Sequence, residues 1–506
     1  MDSHDRAVAE IAASIHKFYT RTEAFRIYHG STNSTRPSQY QRDRMIDTSG
    51  LKNVLKVDVE SKTALVEPNV PMDILIEATL KHGLIPPVVM EFPGITVGGG
   101  FAGTAGESSS FRYGLFDRTI NWIEMVLANG DVVRASDKER SDLLYGAASS
   151  FGTLGVTTLL EVQLIEAKTY VALTYHPVSS ISEAQKEIEK ATSDPTCDYL
   201  DGIMYSPTNG VICAGRLTND IGVNIKVQKF TGRSDPWFYV HVQRLMKGCS
   251  SPITEAIPIV DYLFRYDRGG FWVARYAYTY FLTPFNRISR YLLDHYMHTR
   301  VMYSALHQSG LSSQYIIQDV AIPYPQTSTF MSYLDSNFKN YPIWLCPLKQ
   351  SGKGIASTHS LQAGKLNHET PEMMLNFGVW GPGSKNREEF VSWNRAFEKK
   401  VQELGGQKWL YAHTYYTEAE FDEIYNRKEY DALREKYHAT YLPTVYDKVK
   451  VDVGKKQNVV HESWRASLRA GVLRVWPLQG LYGVYKAWRG SDYLLPRTER
   501  KKEKVQ

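Results

Sequence analysis

The segment Gly98-Gly99-Gly100-Phe101-Ala102-Gly103-Thr104-Ala105-Gly106-Glu107-Ser108-Ser109-Ser110 is the most informative part of this sequence. Residues 98–103 match the pattern G-x-G-x-x-G, and Glu124 follows about twenty residues later, as in a Rossmann dinucleotide site. A Rossmann site also requires a strand before the glycines and a helix after them in a parallel βαβ unit. Here a proline-rich run, residues 86–96, precedes the glycines, and a hairpin around Asn129-Gly130 follows them. The context therefore argues against a Rossmann site.

Two other loops share the small residues of this segment. One spans residues 28–36 and supplies hydroxyl groups and a cation, and the other spans residues 149–156. Glycine backbone N–H groups together with Ser and Thr hydroxyls can bind an anionic pyrophosphate. Each loop alone is typical of an ordinary turn, but three such loops in this order favour one elongated dinucleotide cofactor. The candidate cofactor-binding residues are Gly30, Ser31, Thr32, Asn33, Ser34, Thr96, Gly98, Gly99, Gly100, Gly103, Thr104, Gly106, Glu107, Ser108, Ser109, Gly152, Thr153, Gly155 and Val156.

The pattern around these loops predicts an α+β unit over residues 1–168. Apolar and polar residues alternate in residues 55–68 on both sides of a polar turn, which indicates a β-hairpin. Residues 71–87 carry apolar residues at helical spacing, with Gly83 placed as a C-terminal cap. Asn129-Gly130 joins two apolar runs as a type I′ turn would. The strands of this unit are therefore expected to be mainly antiparallel.

Residues 169–453 have a different composition and residue pattern, which predicts a second, substrate-binding domain of mixed sheet and helices. Tyr and Trp are frequent here, and strands are separated by longer helical segments. The candidate helices span residues 182–192, 385–406 and 418–437. Residues 351–372 are polar and rich in Gly and Ser, which predicts a loop.

Composition limits the class of protein. The 506 residues are 43% hydrophobic and 22% charged, with a mean hydropathy of −0.35. These values are typical of soluble globular proteins, and they exclude a disordered chain and a polytopic membrane protein. The four cysteines never approach a C-x-x-C spacing, so neither a metal site nor a disulfide framework is predicted. The N-terminal run MDSHDRAVAEIAASIHK is too charged for a signal peptide, so we expect a protein that is not secreted.

The positive charge is concentrated in a C-terminal extension, residues 454–506. The extension contains twelve Lys and Arg against four Asp and Glu, a net charge of +8, whereas the preceding residues carry −3 of the total of +5. It also contains Trp464, Trp476 and Trp488. Basic residues mixed with aromatic and aliphatic ones are typical of interfacial segments, although a partly disordered basic tail is an alternative. We expect the extension to bind a membrane surface, and we expect no nucleic-acid partner.

The order of these motifs resembles a known family. The early Ser/Thr loop, the hairpin, the I-T-V-G-G-G run and the G-T-L-G run are similar to the FAD-binding domain of the vanillyl-alcohol-oxidase and p-cresol-methylhydroxylase type. Residues 96–117, TVGGGFAGTAGESSSFRYGLFD, resemble specifically the Delta(24)-sterol reductase branch. Four segments beyond residue 168 resemble the same branch, so the similarity covers roughly residues 8–450. These segments are residues 205–220, 316–323, 344–349 and 410–449.

The resemblance implies an FAD-dependent oxidoreductase that uses NADPH to reduce an isolated C=C bond in the side chain of a sterol or terpenoid-like lipid. An isolated alkene has no carbonyl to hold negative charge, so a hydride from reduced flavin must be matched by a proton from a positioned acid. The aromatic run LYAHTYYT of the substrate domain supplies our candidates, although alternating aromatic residues on a strand more often belong to a core. The candidate catalytic residues are Tyr411, Tyr415 and Tyr416, with His413 behind them.

Two positions bear on how the resemblance would extend to FAD. Glu107 is expected either to contact the isoalloxazine or ribityl edge of the flavin or to cap a helix that begins in SSSFRYG. Many relatives in this superfamily attach FAD covalently through a histidine in the first loop. The corresponding position in this sequence is Asn33 and not His29, so we expect noncovalent FAD.

Other functions and locations remain open. An FAD-linked oxidase that transfers hydride from an alcohol or amine carbon to oxygen is one alternative, and a flavin-fold carrier or non-redox cyclase is another. The reductases that this protein resembles carry an N-terminal membrane anchor, whereas this sequence starts almost directly at the flavin domain. We therefore expect a cytoplasmic protein, or one that is peripheral on the cytosolic face of the endoplasmic reticulum.

Overall fold

The computed structural model describes residues 2–30, 40–350, 373–451, 453 and 475–490. The first group of strands comprises β1 (Arg26–Tyr28), β2 (Met45–Asp47), β3 (Val54–Asp58), β4 (Thr63–Val66), β5 (Leu84–Ile85), β6 (Ile120–Leu127), β7 (Val132–Ser136), β8 (Gly155–Gln163) and β9 (Ile165–Glu166). Five of them form an antiparallel sheet in the order β3-β4-β8-β6-β7. The glycine segment thus leads into an antiparallel sheet and not a parallel βαβ unit, as its sequence context predicted.

Both predicted hairpins of this unit are present, but one predicted turn type is wrong. β3 pairs with β4, and β6 pairs with β7. Only Gly130 of the Asn129-Gly130 pair takes a positive φ, 98°, whereas a type I′ turn needs a positive φ at both central residues. The hairpin closes through a hydrogen bond from the Leu127 N–H to the Asp131 carbonyl. The loop therefore has three residues, with glycine at its left-handed position, as three-residue hairpin loops commonly do.

The second group of strands forms one large antiparallel sheet. It comprises β10 (Tyr170–Val178), β11 (Tyr199–Ser206), β12 (Asn209–Thr218), β13 (Ile253–Pro258), β14 (Tyr315–Pro323), β15 (Ile343–Lys349), β16 (Met373–Pro382) and β17 (Gln407–Lys408). Their order is β13-β10-β12-β11-β15-β16-β14-β17. The five-stranded and eight-stranded antiparallel sheets, two small two-stranded sheets and the helices described next confirm the α+β class.

The helices are distributed over both units. They are α1 (Asp2–Thr20), α2 (Met72–Leu80), α3 (Val97–Gly103), α4 (Ser110–Tyr113), α5 (Ser141–Ala147), α6 (Ile181–Thr192), α7 (Phe238–Leu245), α8 (Ile259–Leu263), α9 (Ala274–Tyr280), α10 (Arg287–Leu292), α11 (Thr299–Ser309), α12 (Thr327–Asn337), α13 (Arg387–Glu403), α14 (Glu418–Ile424), α15 (Arg427–Lys436), α16 (Val445–Val449) and α17 (Leu478–Trp488). The helix predicted over residues 418–437 is divided into α14 and α15, because the Asn426 side chain accepts from the Glu429 N–H and starts a new helix. The loop predicted for residues 351–372 lies outside the described residues.

The last helices of the second unit return to the first unit. The Tyr430 hydroxyl of α15 donates to Thr153 Oγ1 at 2.6 Å, and Leu433 packs so closely on Gly146 that a side chain there would collide with it. One continuous hydrophobic core includes residues of both units. The two units therefore enclose the space between them.

Candidate active site

A cavity of about 390 Å³ lies between the two units, a size typical of pockets that bind cofactors or small molecules. From the first unit it is lined by parts of all three small-residue loops, and from the second by residues of β14, β15 and β16. The three loops that the sequence singled out therefore come together at one site.

The glycine segment forms one wall of the cavity because its backbone is packed without room for side chains. Thr96 caps α3, its Oγ1 accepting from the Gly99 N–H at 3.1 Å. A Cβ on Gly98 would lie 2.7 Å from the Pro68 side chain, and one on Gly100 would collide with Met90. Next to Gly103, in contrast, a Cβ would meet open space. The segment thus presents its own backbone to the cavity.

The first and third loops meet at the cationic end of the cavity. Gly152 has a φ of 73° and lies directly against Ile27, so only glycine fits this turn. Arg26 and Lys448 line the same end, and the Lys448 ammonium donates to the Phe151 carbonyl. Two cations beside glycine backbone suit an anionic group.

His29 also lines this end of the cavity. Burial and the Lys448 charge lower the pKa of His29 to about 4, so its ring is neutral at physiological pH. Its buried Nδ1 atom has no hydrogen-bond partner among the described residues. A buried polar atom of this kind normally has a partner, so a ligand group in the cavity is expected to meet it.

The predicted cofactor-binding residues fall into three groups. Those on the cavity wall are Thr96, Gly98, Gly99, Gly100, Gly103, Gly106, Glu107, Gly152, Gly155 and Val156. Ser31, Thr32, Asn33 and Ser34 lie outside the described residues, and Gly30 precedes them without lining the cavity. Thr104, Ser108, Ser109 and Thr153 do not line it either.

Three residues of this last group contact the second unit. The Trp409 indole N–H donates to the Thr104 carbonyl at 2.8 Å, and the Leu200 N–H donates to the Ser108 carbonyl at 2.7 Å. The Thr153 hydroxyl accepts from Tyr430, as described above. These three residues therefore link the two units, whereas the sequence predicted that their hydroxyl groups would contact a cofactor.

Three carboxyl groups occupy another part of the cavity wall: those of the buried Glu91 and Glu107 and of the partly buried Asp319. Burial raises the pKa of Glu91 to about 8, and the nearby Asp201 charge adds to this, whereas Arg265 acts in the opposite direction. Burial, together with Glu91, also raises the pKa of Glu107 well above its usual range. The folded protein thus favours the protonated form of both groups more than water does. The Glu107 side chain lines the cavity, while its backbone N–H donates to Ser110 Oγ.

The buried Arg265 guanidinium contacts two acids, Glu91 and Asp201. Its Nη2 atom lies 2.8 Å from Glu91 and 3.0 Å from Asp201. Tyr266 and Trp344 also donate to Asp201, at 2.7 and 3.1 Å. A fully buried guanidinium is stable only when it is paired in this way. The Arg265 cluster fixes the wall from which Glu91 faces the cavity.

Asp319 of β14 is paired with the predicted catalytic residue Tyr411. The Tyr411 hydroxyl donates to Asp319, and the Asn376 amide donates to the same carboxyl group at 3.2 Å. Burial raises the pKa of Asp319 to about 6, although the hydrogen bonds from Tyr411 and Asn376 act in the opposite direction. Burial and the Asp319 charge raise the pKa of the Tyr411 phenol well above its usual range. The pair thus combines a neutral phenol with a carboxyl group that titrates near neutral pH.

The structure does not bring the other predicted acids to this wall. The cavity lining includes neither Tyr415, Tyr416 nor His413. Tyr415 and Tyr416 are buried in the two hydrophobic cores, and the Tyr415 backbone N–H donates to Glu398 at 3.1 Å. The His413 carbonyl accepts from buried Lys408. Tyr415 and Tyr416 are thus core residues, whereas His413 is only partly buried. The segment also lies beyond β17 and not on the strand that its alternating aromatic residues suggested.

Sequence reasoning missed Glu91, Asp319 and Asn376. Glu91 stands alone among apolar residues in PVVMEFP, and Asp319 follows Gln318 in the otherwise apolar run IIQDVAIP. An isolated acid within a buried run was the available signal, because such a group needs a partner or a function. Asn376 carries no comparable signal.

The remaining wall is apolar and aromatic. Phe271, Trp344 and Trp380 pack on one another with ring centroids 4.4 to 6.0 Å apart, and Tyr303 and Trp409 extend this surface. Such a wall suits an apolar substrate, since it offers a large apolar contact area.

The residues of the cavity fit FAD. The cationic end with its glycine loops and the unpaired His29 Nδ1 suits the pyrophosphate and sugar of an elongated dinucleotide. In their protonated forms, which burial favours, Glu91 and Glu107 would offer donors to the acceptor-rich edge of a flavin.

Comparisons with known proteins agree with this fit. A family model described as an FAD binding domain matches residues 6–136. The chain is 30% identical over 427 residues to Delta(24)-sterol reductase of Homo sapiens, covering 83% of this protein and 80% of that one. It is 32% identical over 465 residues to Delta(24)-sterol reductase of Arabidopsis thaliana, covering 85% and 81%. A shorter similarity, 28% over 141 residues, relates 27% of the protein to 26% of Cytokinin dehydrogenase 4 of Oryza sativa subsp. japonica.

Proposed function

This chain belongs to the Delta(24)-sterol reductase family and is an FAD-dependent oxidoreductase, and we propose that it reduces an isolated C=C bond in the side chain of a sterol or terpenoid-like lipid. NADPH is the proposed electron donor. The observation that carries this proposal is the convergence, in one cavity, of the glycine loops, the aromatic wall and the Asp319–Tyr411 pair.

The protein would hold FAD noncovalently between its first and third loops and the glycine segment. Arg26 and Lys448 would bind the pyrophosphate, and Glu91 and Glu107 would donate hydrogen bonds to the flavin. Bound FAD would supply to the alkene the hydride that NADPH provides. The aromatic wall of Phe271 and the neighbouring Trp side chains would hold the apolar substrate and exclude water.

The proton is the part of the reaction that the protein itself must supply. Reduction forms one C–H bond from a hydride and one from a proton, while NADPH becomes NADP⁺. The Asp319 carboxyl group is the stronger acid of the Asp319–Tyr411 pair, because the pKa of Asp319 is about 6 and that of Tyr411 is well above its usual range. We propose that the Tyr411 hydroxyl gives its proton to the alkene carbon while protonated Asp319 gives its own proton to the Tyr411 oxygen, so that no phenolate forms. In this state the hydrogen bond runs from Asp319 to Tyr411, the reverse of its direction in the structure.

Anaerobic half-reactions test this proposal. NADPH is expected to bleach the bound flavin, and a desmosterol-like alkene added afterwards is expected to restore its colour. Absence of bleaching by both NADPH and NADH would exclude the reductase. In a separate assay in air, release of hydrogen peroxide on adding an alcohol or amine would favour an FAD-linked oxidase. Full activity after removal of FAD would instead indicate a non-redox cyclase or carrier.

The proposed mode of FAD attachment has a separate test. Acid denaturation of the purified protein is expected to release all the yellow colour into the supernatant. Colour that stays with the pellet would mean a covalent bond.

We also propose that the protein is cytoplasmic or lies peripherally on the cytosolic face of the endoplasmic reticulum. The basic C-terminal extension supports the peripheral alternative. High salt is expected to release the protein from isolated membranes, whereas extraction only by detergent would contradict a peripheral location. Within the part of the protein that the structure describes, no helix combines the length and apolarity that a membrane span requires.

A further inference from the structure

Helix α17 exposes its large apolar side chains and buries its glycines. Its four exposed large side chains recur at positions i, i+3, i+7 and i+10, which places them on one face of the helix. They are Leu478, Leu481, Tyr485 and Trp488. The opposite face consists of the buried Gly480 and Gly483. A helix on a globular protein normally has the reverse arrangement, with large apolar residues toward the core.

Close contacts fix this orientation. A Cβ on Gly480 would meet the rings of Tyr280 and Phe281, and one on Gly483 would lie 2.5 Å from the Ala305 carbonyl. The Gln479 amide donates to the Ser309 carbonyl at 2.8 Å. If α17 were rotated so that its apolar face pointed inward, its large side chains would collide with these residues. The apolar face therefore has to point outward.

The segment that comprises Leu282 and α10 also exposes apolar side chains and buries a charged one. The Leu282 side chain, next to Phe281, is 74% exposed, and α10 exposes Ile288 and Leu292 while it buries Arg290. The Trp476 indole N–H, just before α17, donates to the Tyr280 carbonyl at 2.6 Å. The two inverted helices are thus joined through residues 280–282.

Charge distinguishes this surface from an ordinary apolar patch. Residues 475–490 and 280–293 contain Arg and Lys but no Asp or Glu. Exposed Arg287 and Arg489 border the apolar side chains. Apolar and aromatic side chains with basic residues beside them are the composition of helices that lie in the interface of an anionic bilayer.

The surface lies on the outer side of a helix that walls the cavity. Tyr303 of α11 lines the cavity, while Ala305 and Ser309 of the same helix contact Gly483 of α17. One layer of helix therefore separates the apolar surface from the proposed substrate site.

We propose that α17, α10 and Leu282 form a docking surface for an anionic phospholipid bilayer, from which the enzyme takes its lipid substrate. A second copy of the protein fits less well, because a symmetric contact would bring the same basic residues together without acidic partners from these segments. The inference rests on the proposed lipid substrate, but the binding step is measurable without turnover.

Vesicle binding tests the docking surface directly. The full-length holoprotein is expected to cosediment with phosphatidylcholine vesicles that contain phosphatidylserine, and Trp488 fluorescence is expected to shift to the blue. Leu481→Glu and Leu292→Glu, one on each helix, are each expected to weaken vesicle binding about tenfold or more, since each places a negative charge on a face that meets anionic lipid. Val223→Glu is the matched control, because this 89% exposed valine lies outside the surface, and its binding is expected to equal that of the wild type.

Turnover separates failure of the docking surface from failure of the proposed reaction. With an alkene dispersed in detergent, both variants are expected to match the wild type, whereas with the same alkene in vesicles both are expected to be slower. Wild-type protein that does not bind vesicles, or variants that bind as well as Val223→Glu, would overturn the docking proposal even if the enzyme reduces the alkene. A dimer that Leu481→Glu dissociates would identify a second copy as the occupant and would also overturn it.

Discussion

The cavity and the α17 surface invert the usual distribution of side chains in opposite directions. The cavity wall contains the acids Glu91, Glu107 and Asp319, and the Arg265 guanidinium is buried beside Glu91. Proteins normally expose such groups. The α17 surface exposes leucine and tryptophan side chains, which proteins normally bury. Both arrangements oppose stability, but Arg265 is held by Asp201 and Asp319 accepts a hydrogen bond from Tyr411, whereas the α17 face is exposed. The proposed reaction would account for the acids of the cavity, and the proposed bilayer contact would account for the exposed apolar face.

The sharpest test inside the cavity is Asp319→Asn, which keeps the shape and removes the proton. We expect flavin reoxidation by the alkene to slow by about 10²- to 10⁴-fold, the usual contribution of a general acid. Bleaching by NADPH is expected to stay unchanged, because that step needs no proton from this pair. In the wild type the reoxidation rate is expected to fall as pH rises above about 6, where Asp319 loses its proton, and the variant is expected to lack this dependence.

Tyr411→Phe checks the relay in that reaction. It removes the hydroxyl that donates to Asp319, and it is expected to slow reoxidation of the flavin by the alkene while leaving bleaching by NADPH intact.

One outcome would contradict the role of Asp319. If the Asp319→Asn enzyme reoxidises at the wild-type rate, the proton comes from another source and the Asp319 carboxyl group is a purely structural feature.

Arg265→Leu tests whether the buried charges of the cavity depend on one another. Removing the guanidinium leaves the buried Asp201 side chain without its cation, and loss of one partner of a buried ion pair typically costs about 3 to 5 kcal/mol. Thermal unfolding of the holoprotein is therefore expected at a clearly lower temperature. Arg300→Leu, which breaks the exposed pair with Asp73, is the control and is expected to cost less than about 1 kcal/mol. Equal shifts in the two variants would contradict the importance of the buried cluster.

Local sequence patterns predicted many of the helices and strands, but they predicted few of the side chains that line the cavity in the second unit. The glycine segment, the hairpins and α13 depend on residues close in sequence, so their patterns could be interpreted directly. Thr104 and Ser108 have the residue types of a cofactor loop, yet Trp409 and Leu200 take their carbonyls. Only the order of strands in the second sheet brings such distant partners together. For the same reason, the sequence predicted Tyr411 as an acid without its partner Asp319.

The pH dependence of stability sharpens the role of Glu91. The pKa of this carboxyl is about 8 in the folded protein and 4.5 ordinarily. Between these values the folded state binds more protons than the unfolded state, so stability falls as pH rises, by up to about 1.4 kcal/mol per pH unit. Glu91→Gln is expected to remove this slope, so that the variant gains in melting temperature over the wild type as pH rises through the window. The surface variant Glu60→Gln is the control, and its melting temperature is expected to follow that of the wild type at every pH. If Glu91→Gln also follows the wild type in this way, Glu91 is ionised in the folded protein.

The smallest expected effect lies on the outer surface and completes the comparison. Leu481→Gln and Trp488→Gln replace side chains whose apolar atoms already face water in the free protein, so each is expected to change the free energy of unfolding by no more than about 0.5 kcal/mol. Leu345→Ala, at a fully buried leucine of β15, is expected to cost about 2 to 5 kcal/mol in the same thermal assay. Both surface variants are nevertheless expected to bind anionic vesicles more weakly. If they destabilise the protein as Leu345→Ala does, the outward apolar face contributes to the fold, and its inversion no longer points to a bilayer.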